Sequence, residues 1–385
     1  MPDSLPDPLY DPHSPALQQD LYRVYRELRD RDPVHHCAVR QLYAVSRYED
    51  VVEVLRDPER FASGGVEEAQ ILLPMIVFMD GDRHRAMRGL LSSVFTPRRV
   101  AGLEPRIRTS VVRLFDRMEK EGERDFLRGF AAALPSIVIC ELIGIPEERR
   151  ASFLECTEAM IESGPNAHPI QEPATRIYAE FSALLEERRL EPRDDLMSAL
   201  LAADVDGERL SREELLGFCF NLVVGGTDTT MNLIGNGTVL LAQHPDQRDR
   251  LLEDPTRIPD AVEEMLRIES PTQALPRRVV HDVELHGVTL PAGARLTVLF
   301  GSANHDERVF EAPERFDIER ERKRHLAFGL GNHHCLGAAL ARLEARVVFE
   351  ELLTRYPRYH LLEEPGWVTS RWARSHPEIP LALVP

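Results

Sequence analysis

Apolar residues recur at helical spacing along most of this chain. Helices are predicted from this period at about 17–31, 47–56, 82–94, 98–120, 130–144, 147–163 and 171–190. Alternation of apolar and polar positions is confined to shorter stretches, at 41–45 and within 277–300, where 282–290 is typical of a β-hairpin. The pattern predicts a mostly α protein with a smaller β region, of the α+β class.

The longest helical pattern begins after Ser211 and continues to about Gln243. Glu214 follows Ser211 at the spacing of a capping box, which marks a helix start. A helix of that length extends roughly 50 Å at ~1.5 Å per residue. Because it is apolar on most faces, it is expected to cross the interior of one large domain. Another helix is predicted at about 259–269, and 301–327 should be irregular because few of its apolar positions are periodic.

Composition is that of an ordinary globular protein. The 385 residues include 43% hydrophobic and 29% charged residues, and the net charge is −17. This acidic balance argues against nonspecific binding to nucleic acid or to an anionic membrane. Neither a repeat nor a Gly/Ser linker divides the chain, so residues 1–385 are expected to form a single domain. Its helix-rich core should comprise about 82–269 and 328–356, and its β-rich parts about 34–46, 277–300 and 358–385.

Cysteine usage and the N-terminal segment indicate a compartment. The five cysteines are scattered and include no CxxC pair, which disfavours a disulfide framework or a structural zinc site. Residues 1–20 have no apolar core typical of a signal peptide. The longest apolar run, 71–79, is too short to span a bilayer. We therefore expect a soluble protein of the cytoplasm.

One cysteine lies in a setting suited to a metal. Cys335 follows Phe328-Gly329-Leu330-Gly331-Asn332-His333-His334 and precedes Leu336-Gly337, and a helical pattern continues from there. Glycines permit tight turns and close approach to a flat ligand. A cysteine at or just before a helix N-terminus is expected to be stabilised as a thiolate. A lone cysteine is more often a small buried apolar residue, so the surrounding sequence carries the interpretation.

The Cys335 segment resembles the haem-binding loop of the cytochrome P450 family. Phe328, Gly331, His333, Cys335 and Gly337 occupy the defining places of that loop, with His333 where Arg is commoner. The resemblance implies that Cys335 is the axial thiolate ligand of haem b, and that Phe328, His333 and Gly337 belong to the cofactor site. A thiolate ligand pushes electron density onto the iron and favours O–O cleavage. The family fold, one large domain with a long central helix crossing the haem, is also implied.

A second motif, Gly225-Gly226-Thr227-Asp228-Thr229-Thr230, lies midway along the long helix. Glycines inside a helix cost roughly 1 kcal/mol each, and close helix packing is one ordinary reason for them. The segment also matches the oxygen-binding groove of the same family. The resemblance implies that Asp228 relays protons from solvent and that Thr229 holds the hydrogen-bond network delivering them to dioxygen.

Four further segments resemble structural and cofactor-binding parts of the family. They imply that His84, Arg88, Arg277 and His333 bind the two haem propionates, whose negative charge needs cations where it is buried. Glu264 and Arg267, at i and i+3 of a helix, are implied to form a buried structural ion pair. Arg315 is a weaker candidate for a third member of that group.

The resemblance also places a substrate pocket. It implies the following lining residues: Met75, Ile76, Phe78, Leu222, Val223, Gly226, Gln273, Leu275 and Trp372. Most are apolar, which predicts a lipophilic substrate, and Gln273 is placed to orient a polar group. The same apolar residues are equally typical of plain hydrophobic core.

The chain shows no flavin or nicotinamide domain and no iron–sulfur cysteines, so a separate protein is expected to supply electrons. A ferredoxin with its NAD(P)H-dependent reductase is the expected source. Basic residues on the cysteine side should receive it, with these candidates: Arg85, Arg98, Arg99, Arg342 and Arg346. The predicted reaction is hydroxylation or epoxidation of a lipophilic small molecule, in secondary or xenobiotic metabolism. A hydrogen-peroxide-dependent peroxygenase and a non-catalytic thiolate-haem binding protein are the alternatives.

Overall fold

The computed structural model describes residues 9–66, 75–163, 171–204 and 207–384. The helices are α1 (Pro15–Gln19), α2 (Leu21–Arg31), α3 (Tyr48–Arg56), α4 (Gly81–Val94), α5 (Pro97–Ala101), α6 (Glu104–Glu121), α7 (Ala133–Ile143), α8 (Glu147–Ser163), α9 (Gln171–Leu190), α10 (Leu196–Ala202), α11 (Arg212–Gln243), α12 (Pro245–Glu253), α13 (Ile258–Ile268), α14 (Phe300–Ala303) and α15 (Ala338–Arg355). The strands are β1 (Val34–Cys37), β2 (Leu42–Val45), β3 (Phe61–Ala62), β4 (Ala274–Val279), β5 (Val283–Leu285), β6 (Val288–Leu290), β7 (Arg295–Leu299), β8 (His360–Leu361) and β9 (Leu381–Ala382).

The main sheet brings distant parts of the chain together. Its strand order is β1-β2-β7-β4-β3, and β2 pairs with β7 in parallel while the other neighbours are antiparallel. The expected hairpin is present as β5 and β6, with Val283 opposite Leu290. The α+β class predicted from periodicity is therefore confirmed.

Helix α11 is the central element of the helical part. The side chain of its N-cap, Ser211, accepts a hydrogen bond from the Glu214 N–H, and the Glu214 carboxylate accepts one from the Ser211 N–H. This predicted capping box is confirmed. The helix is continuous to Gln243, and most of its residues from Met231 to Leu241 are buried. It packs against α7, α9, α13 and α15, which places it inside the largest hydrophobic core.

Two predicted helices are interrupted. The 17–31 segment breaks at Asp20, and the 98–120 segment breaks between α5 and α6 at Gly102 and Leu103. Pro105 lies in the first turn of α6, where its missing N–H costs nothing. Proline favours a new helix start at that position, so periodicity alone overestimated the continuity of this helix.

Candidate active site

The loop that carries Cys335 is shaped by two left-handed glycines. Gly329 and Gly331 have φ values of +67° and +70°, a region that residues with a side chain rarely adopt. A Cβ atom on Gly331 would lie 2.6 Å from the carbonyl oxygen of Leu55 on α3. The Cys335 N–H donates to the Phe328 carbonyl at 2.9 Å, which closes the loop on itself. The loop is thereby held against α3 with the cysteine at its end.

Cys335 is the exposed member of the five cysteines, and the other four are buried. The residue is accessible, but protein surrounds its sulfur atom, and this burial of the sulfur raises the pKa of the thiol. Hydrogen bonds from the Gly337 and Ala338 backbone and the positive charges of Arg88 and Arg342 lower that pKa, but burial outweighs them. The helix N-terminus thus acts in the expected direction, but without a metal it does not hold the group as a thiolate. A metal competes with the proton for such a sulfur.

The middle of α11 is open on one side. Val224 has a relative solvent exposure of 37% and Gly225 is exposed, whereas Val223 and Thr227 on either side are buried. The Thr229 hydroxyl donates to the Gly225 carbonyl at 2.6 Å, and the helix remains continuous there. Accessible residues in the middle of a largely buried helix show that this turn is open on one side.

The two adjacent glycines of α11 have different surroundings. A Cβ atom on Gly226 would lie 2.7 Å from the Ile139 Cδ1 atom of α7, so Gly226 allows close helix packing. A Cβ atom on Gly225 would have only the Asn221 side-chain nitrogen nearby, at 3.9 Å. Packing therefore explains one glycine, while the other borders the open side of the helix.

Asp228 lies one turn before Asn232 on α11. The Asn232 side-chain nitrogen donates to the Asp228 carboxylate at 3.4 Å, and the Asn232 Oδ1 atom is buried with no hydrogen-bond partner among the described residues. Burial raises the pKa of Asp228, and the hydrogen bond from Asn232 opposes that only in part. A carboxyl group with a raised pKa can both take up and release a proton closer to neutral pH.

The four predicted propionate residues include two buried groups without an acidic partner. Arg277 on β4 is 6% exposed, donates to the Pro276 carbonyl at 2.7 Å, and has no ion pair with a carboxylate among the described residues. Burial lowers its pKa to about 10. The His84 Nε2 atom is also buried and without a partner in the described part of the chain. Burial, followed by the charges of His333 and Arg88, lowers the pKa of His84 to about 4.

The other two members connect this cluster to the Cys loop. The His84 and His333 rings lie 4.2 Å apart between centroids. Arg88, on the same face of α4 as His84, donates to the His334 carbonyl of the loop. The structure therefore brings His84, Arg88 and His333 into one region around the loop.

Asp80 is a member of this region that the sequence motifs did not assign. It occupies the N-cap position of α4 without capping that helix. Its carboxylate accepts from the Ser63 N–H at 3.1 Å and the Gly64 N–H at 2.6 Å, and lies 3.9 Å from His333 Nε2. Burial acts to raise its pKa, but the nearby His333 and the hydrogen bonds from the Gly64 and Ser63 N–H groups outweigh this and hold the pKa at about 2. Asp80 thus ties the segment after β3 to α4 and the Cys loop.

Glu264 and Arg267 form a buried ion pair on α13, with N–O distances of 2.8 Å for both hydrogen bonds. The further arginine is Arg320, whose Nε donates to Glu264 at 3.0 Å. The expectation for Arg315 was wrong, because its side chain is exposed and only its carbonyl accepts from Arg267 and Arg320. The sequence signal for Arg320 was weak, because it lies in an irregular stretch with several arginines.

Several predicted pocket residues lie elsewhere. Val223 is 1% exposed within the core, so the open position of α11 is its neighbour Val224. Gly226 faces α7, as described above. The Gln273 side chain is buried against Gly301 and donates one hydrogen bond to the Ser270 carbonyl at 2.8 Å, and its Oε1 atom is buried with no hydrogen-bond partner among the described residues. These three assignments are corrected by tight packing, which periodicity does not reveal.

The remaining pocket assignments divide into core and partly buried positions. Met75 and Ile76 are buried, while Phe78 and Leu222 are partly buried against the same core. Leu275 is partly buried beside the core of the main sheet. Trp372 lies with Pro12 and Pro276 along a small cleft between the N-terminal segment and the sheet. Residues 67–74 of the predicted pocket loop lie outside the described residues.

The expected basic surface is largely neutralised. Four of its five arginines make ion pairs: Arg85 with Asp82, Arg99 with Asp194, Arg342 with Glu263, and Arg346 with Glu104 and Glu350. The fifth, Arg98, is exposed. Carboxylates distant in sequence provide most of these partners, which is why the sequence suggested more positive charge.

These residues fit a haem. The cofactor needs a sulfur ligand, which the accessible cysteine would supply. It needs space beside its ring, which the open turn of the long helix would leave. Its two carboxylates need donors, which the two buried basic groups without an acidic partner would provide. None of the helices within the described ranges is long and apolar enough to cross a membrane.

Comparison with known proteins agrees with this geometry. The family model for cytochrome P450 matches residues 168–359. The polyketide biosynthesis cytochrome P450 PksS of Bacillus subtilis is 34% identical over 97% of this chain and 98% of its own length. The steroid C26-monooxygenase of Mycobacterium tuberculosis is 39% identical over 89% of this chain and 87% of its own. The structure of CYP109Q5 from Chondromyces apiculatus matches with a TM-score of 0.90 and 39% identity, covering 97% of this chain and 98% of that one.

The expected cofactor, enzyme class and fold follow from this membership. Members of the family bind haem b through a cysteine thiolate, and the relative from Mycobacterium tuberculosis is named a monooxygenase. The protein is a monooxygenase with a P450 fold. The chain belongs to the cytochrome P450 family.

Proposed function

We propose that the protein hydroxylates or epoxidises a lipophilic small molecule, using dioxygen, a haem b held by Cys335, and electrons from a ferredoxin. The observation that carries this proposal is the arrangement of α11. One turn of the helix is open at Val224 and Gly225, and Asp228 and Thr229 lie four residues after them on the same face. This places an acid and an alcohol next to the open side of the helix, in a family that activates dioxygen.

The haem, when bound, supplies the iron that activates dioxygen. Cys335 holds it, and the Gly337 and Ala338 amides moderate the negative charge of the sulfur by hydrogen bonding. Arg277 and His84 offer buried donors to the two carboxylates of the cofactor. Charge-assisted hydrogen bonds of this kind are stronger than neutral ones, so the absence of a protein carboxylate on Arg277 supports this role.

Asp228 acts as the proton donor of the site. Burial raises its pKa, so it carries a proton over a wider pH range than an exposed aspartate. Thr229 donates its hydroxyl hydrogen to the Gly225 carbonyl, which leaves the hydroxyl oxygen as an acceptor. A hydroxyl used in this way can accept a hydrogen bond while it orients the proton that Asp228 provides. Splitting dioxygen with release of water consumes two protons, so this delivery matters for coupling.

The open side of α11 favours an apolar substrate. Val224 is exposed there, the partly buried Leu222 lies on the same helix, and the partly buried Phe78 lies on the segment before α4. The names of several relatives point to lipophilic substrates. One relative is named for polyketide biosynthesis and another as a steroid C26-monooxygenase, and a structure of CYP109E1 from Bacillus megaterium is a complex with testosterone. Polycyclic or long-chain lipophilic molecules are therefore the substrate class we propose.

The test begins with the ferric holoprotein and a panel of steroids, macrolides, terpenes, fatty acids and aromatic acids. A substrate should shift the haem absorption spectrum, and NAD(P)H consumption with a ferredoxin and its reductase should then yield an oxygenated product. With that substrate, Thr229→Ala should lower product formed per NAD(P)H while sparing turnover with hydrogen peroxide, which brings its own protons. Thr227→Ala is the matched control, because Thr227 makes the same backbone hydrogen bond on a buried face.

Different outcomes identify the alternatives. Equal loss of both reactions in Thr229→Ala would argue against proton delivery by this residue. Turnover with peroxide alone would indicate a peroxygenase. A haem spectrum with no turnover under any of these conditions would indicate a binding protein.

A further inference from the structure

A cluster of four side chains lies beside the Cys loop on the side of α15. Arg342 donates twice to Glu263 of α13, from Nε at 2.6 Å and from Nη2 at 2.9 Å. His325 Nε2 lies 3.1 Å from the same carboxylate. The guanidinium carbon of Arg342 lies 4.5 Å from the centre of the Phe328 ring. A cation at that distance is attracted to the ring face, so Arg342 is fixed on the first residue of the loop.

This fixed charge lies next to the backbone that holds Cys335. The carbonyl of Phe328, whose ring Arg342 covers, accepts a hydrogen bond from the Cys335 N–H at 2.9 Å. Burial would raise the pKa of Glu263, but hydrogen bonds from Arg342 and His325 outweigh it and hold the pKa at about 2. Glu263 therefore remains ionised at all working pH values and holds the guanidinium in place. The function proposed above uses neither Glu263 nor His325, and Arg342 enters the sequence analysis only as a candidate for the ferredoxin surface.

We propose that Arg342, held on Phe328 by Glu263 and His325, is a positioning residue that sets the reduction potential of the haem. The proposal rests on the assignment of Cys335 as the haem ligand. A positive charge near the sulfur stabilises the electron that the haem gains on reduction, and it reduces the electron density that the sulfur donates. Glu263 opposes that effect with its own negative charge.

An electrostatic role and a purely structural role predict different signs. Removing the positive charge of Arg342 makes reduction harder, whereas removing the negative charge of Glu263 makes it easier. Loss of packing alone would shift both variants in the same direction. Arg346, one turn further along α15, is a matched control because it is also ion-paired, with Glu104 and Glu350, and is about as exposed as Arg342, with side-chain exposures of 28% and 39%.

The experiment is a dye-mediated redox titration of the holoproteins, without substrate or redox partner. Arg342→Gln should lower the ratio of reduced to oxidised haem at a fixed potential on the order of tenfold, which is about 59 mV for one electron. Glu263→Gln should raise that ratio, and Arg342→Lys should lie between wild type and Arg342→Gln. Arg346→Gln should leave it unchanged.

Two results would overturn the proposal. One is a shift of Arg342→Gln and Glu263→Gln in the same direction, and the other is a shift in Arg342→Gln no larger than in Arg346→Gln. If Arg342→Gln fails to retain haem, Arg342→Lys and Glu263→Gln decide the sign. The carbon monoxide spectrum of each reduced protein separates the two claims. A wild type without a thiolate spectrum refutes the assignment of Cys335, whereas thiolate spectra with unchanged potentials refute only the role of Arg342.

Discussion

Asp80 and Arg277 are charged residues that differ in the hydrogen-bond partners the protein gives them. Asp80 accepts several hydrogen bonds, while Arg277 is buried with only the Pro276 carbonyl as acceptor. A buried cation without a carboxylate costs free energy unless a ligand supplies the negative charge. We therefore expect Arg277 to bind the cofactor and Asp80 to stabilise the folded protein.

Arg277→Gln should weaken haem retention. Losing one charge-assisted contact costs about 1.5–3 kcal/mol, which corresponds to roughly 10- to 100-fold faster haem transfer to an acceptor apoprotein. The control is Arg278→Gln, because the neighbouring Arg278 donates to the Gly64 carbonyl instead. Equal haem loss in both variants would contradict the assignment of Arg277 to a propionate.

Asp80→Asn should lower stability in a pH-dependent way. The pKa of Asp80 is held at about 2, below its ordinary 3.8, so its charged form stabilises the folded state. That contribution, on the order of 2 kcal/mol, is fully present above pH ~4 and is lost as the pH falls toward 2. Unfolding of wild type and Asp80→Asn by urea should differ at pH 6 and converge near pH 2–3. A difference that stays constant with pH would contradict the shifted pKa.

Individual elements were predictable where local chemistry defines them. Helix α11 was delimited by Ser211, Glu214 and the His244-Pro245 pair, which act within one turn of each helix end. The second partner of Glu264 was not predictable, because Arg320 reaches it across an irregular segment. The orientation of Val223 and Val224 was also missed, since a helix that is apolar all round gives no periodic indication of which face is open.

The two glycines of α11 should respond differently to alanine. Alanine is favoured over glycine in a helix by about 1 kcal/mol. Gly225→Ala has room for its Cβ atom, whereas Gly226→Ala would displace Ile139. Gly225→Ala should therefore be the more stable of the two in thermal unfolding of the holoprotein. The reverse order would show that the open side of α11 has been misplaced.

The connection between α13 and the segment before the Cys loop depends on Arg320. Arg320→Gln removes a partner of the buried Glu264 and also the donors to the Glu311, Ala312 and Arg315 carbonyls. The expected cost is about 2–3 kcal/mol. Arg315→Gln should stay within about 0.5 kcal/mol, because that side chain is exposed. Similar losses from both variants in chemical unfolding would contradict this assignment.

At the scale of the whole molecule, the site is assembled from segments that are far apart in sequence. In the proposed haem site, the His84 helix, the open turn of α11, strand β4 and the Cys loop each supply one part, and the sequence motifs predicted a role for each of these segments. The distribution of charge was harder to predict, since Glu104 and Glu263 neutralise arginines of α15 across helix interfaces. Pairing of this kind depends on tertiary packing, which a single sequence does not encode in any local pattern.

The central claim is that Cys335 holds the haem as a thiolate. The most direct measurement is the absorption spectrum of the reduced holoprotein under carbon monoxide, compared with Cys335→Ser and with Cys37→Ser as a control at a buried cysteine. Wild type and Cys37→Ser should show the red-shifted band of a thiolate-bound haem, and Cys335→Ser should lack it. The same band in Cys335→Ser, or its absence from the wild type, would contradict the account.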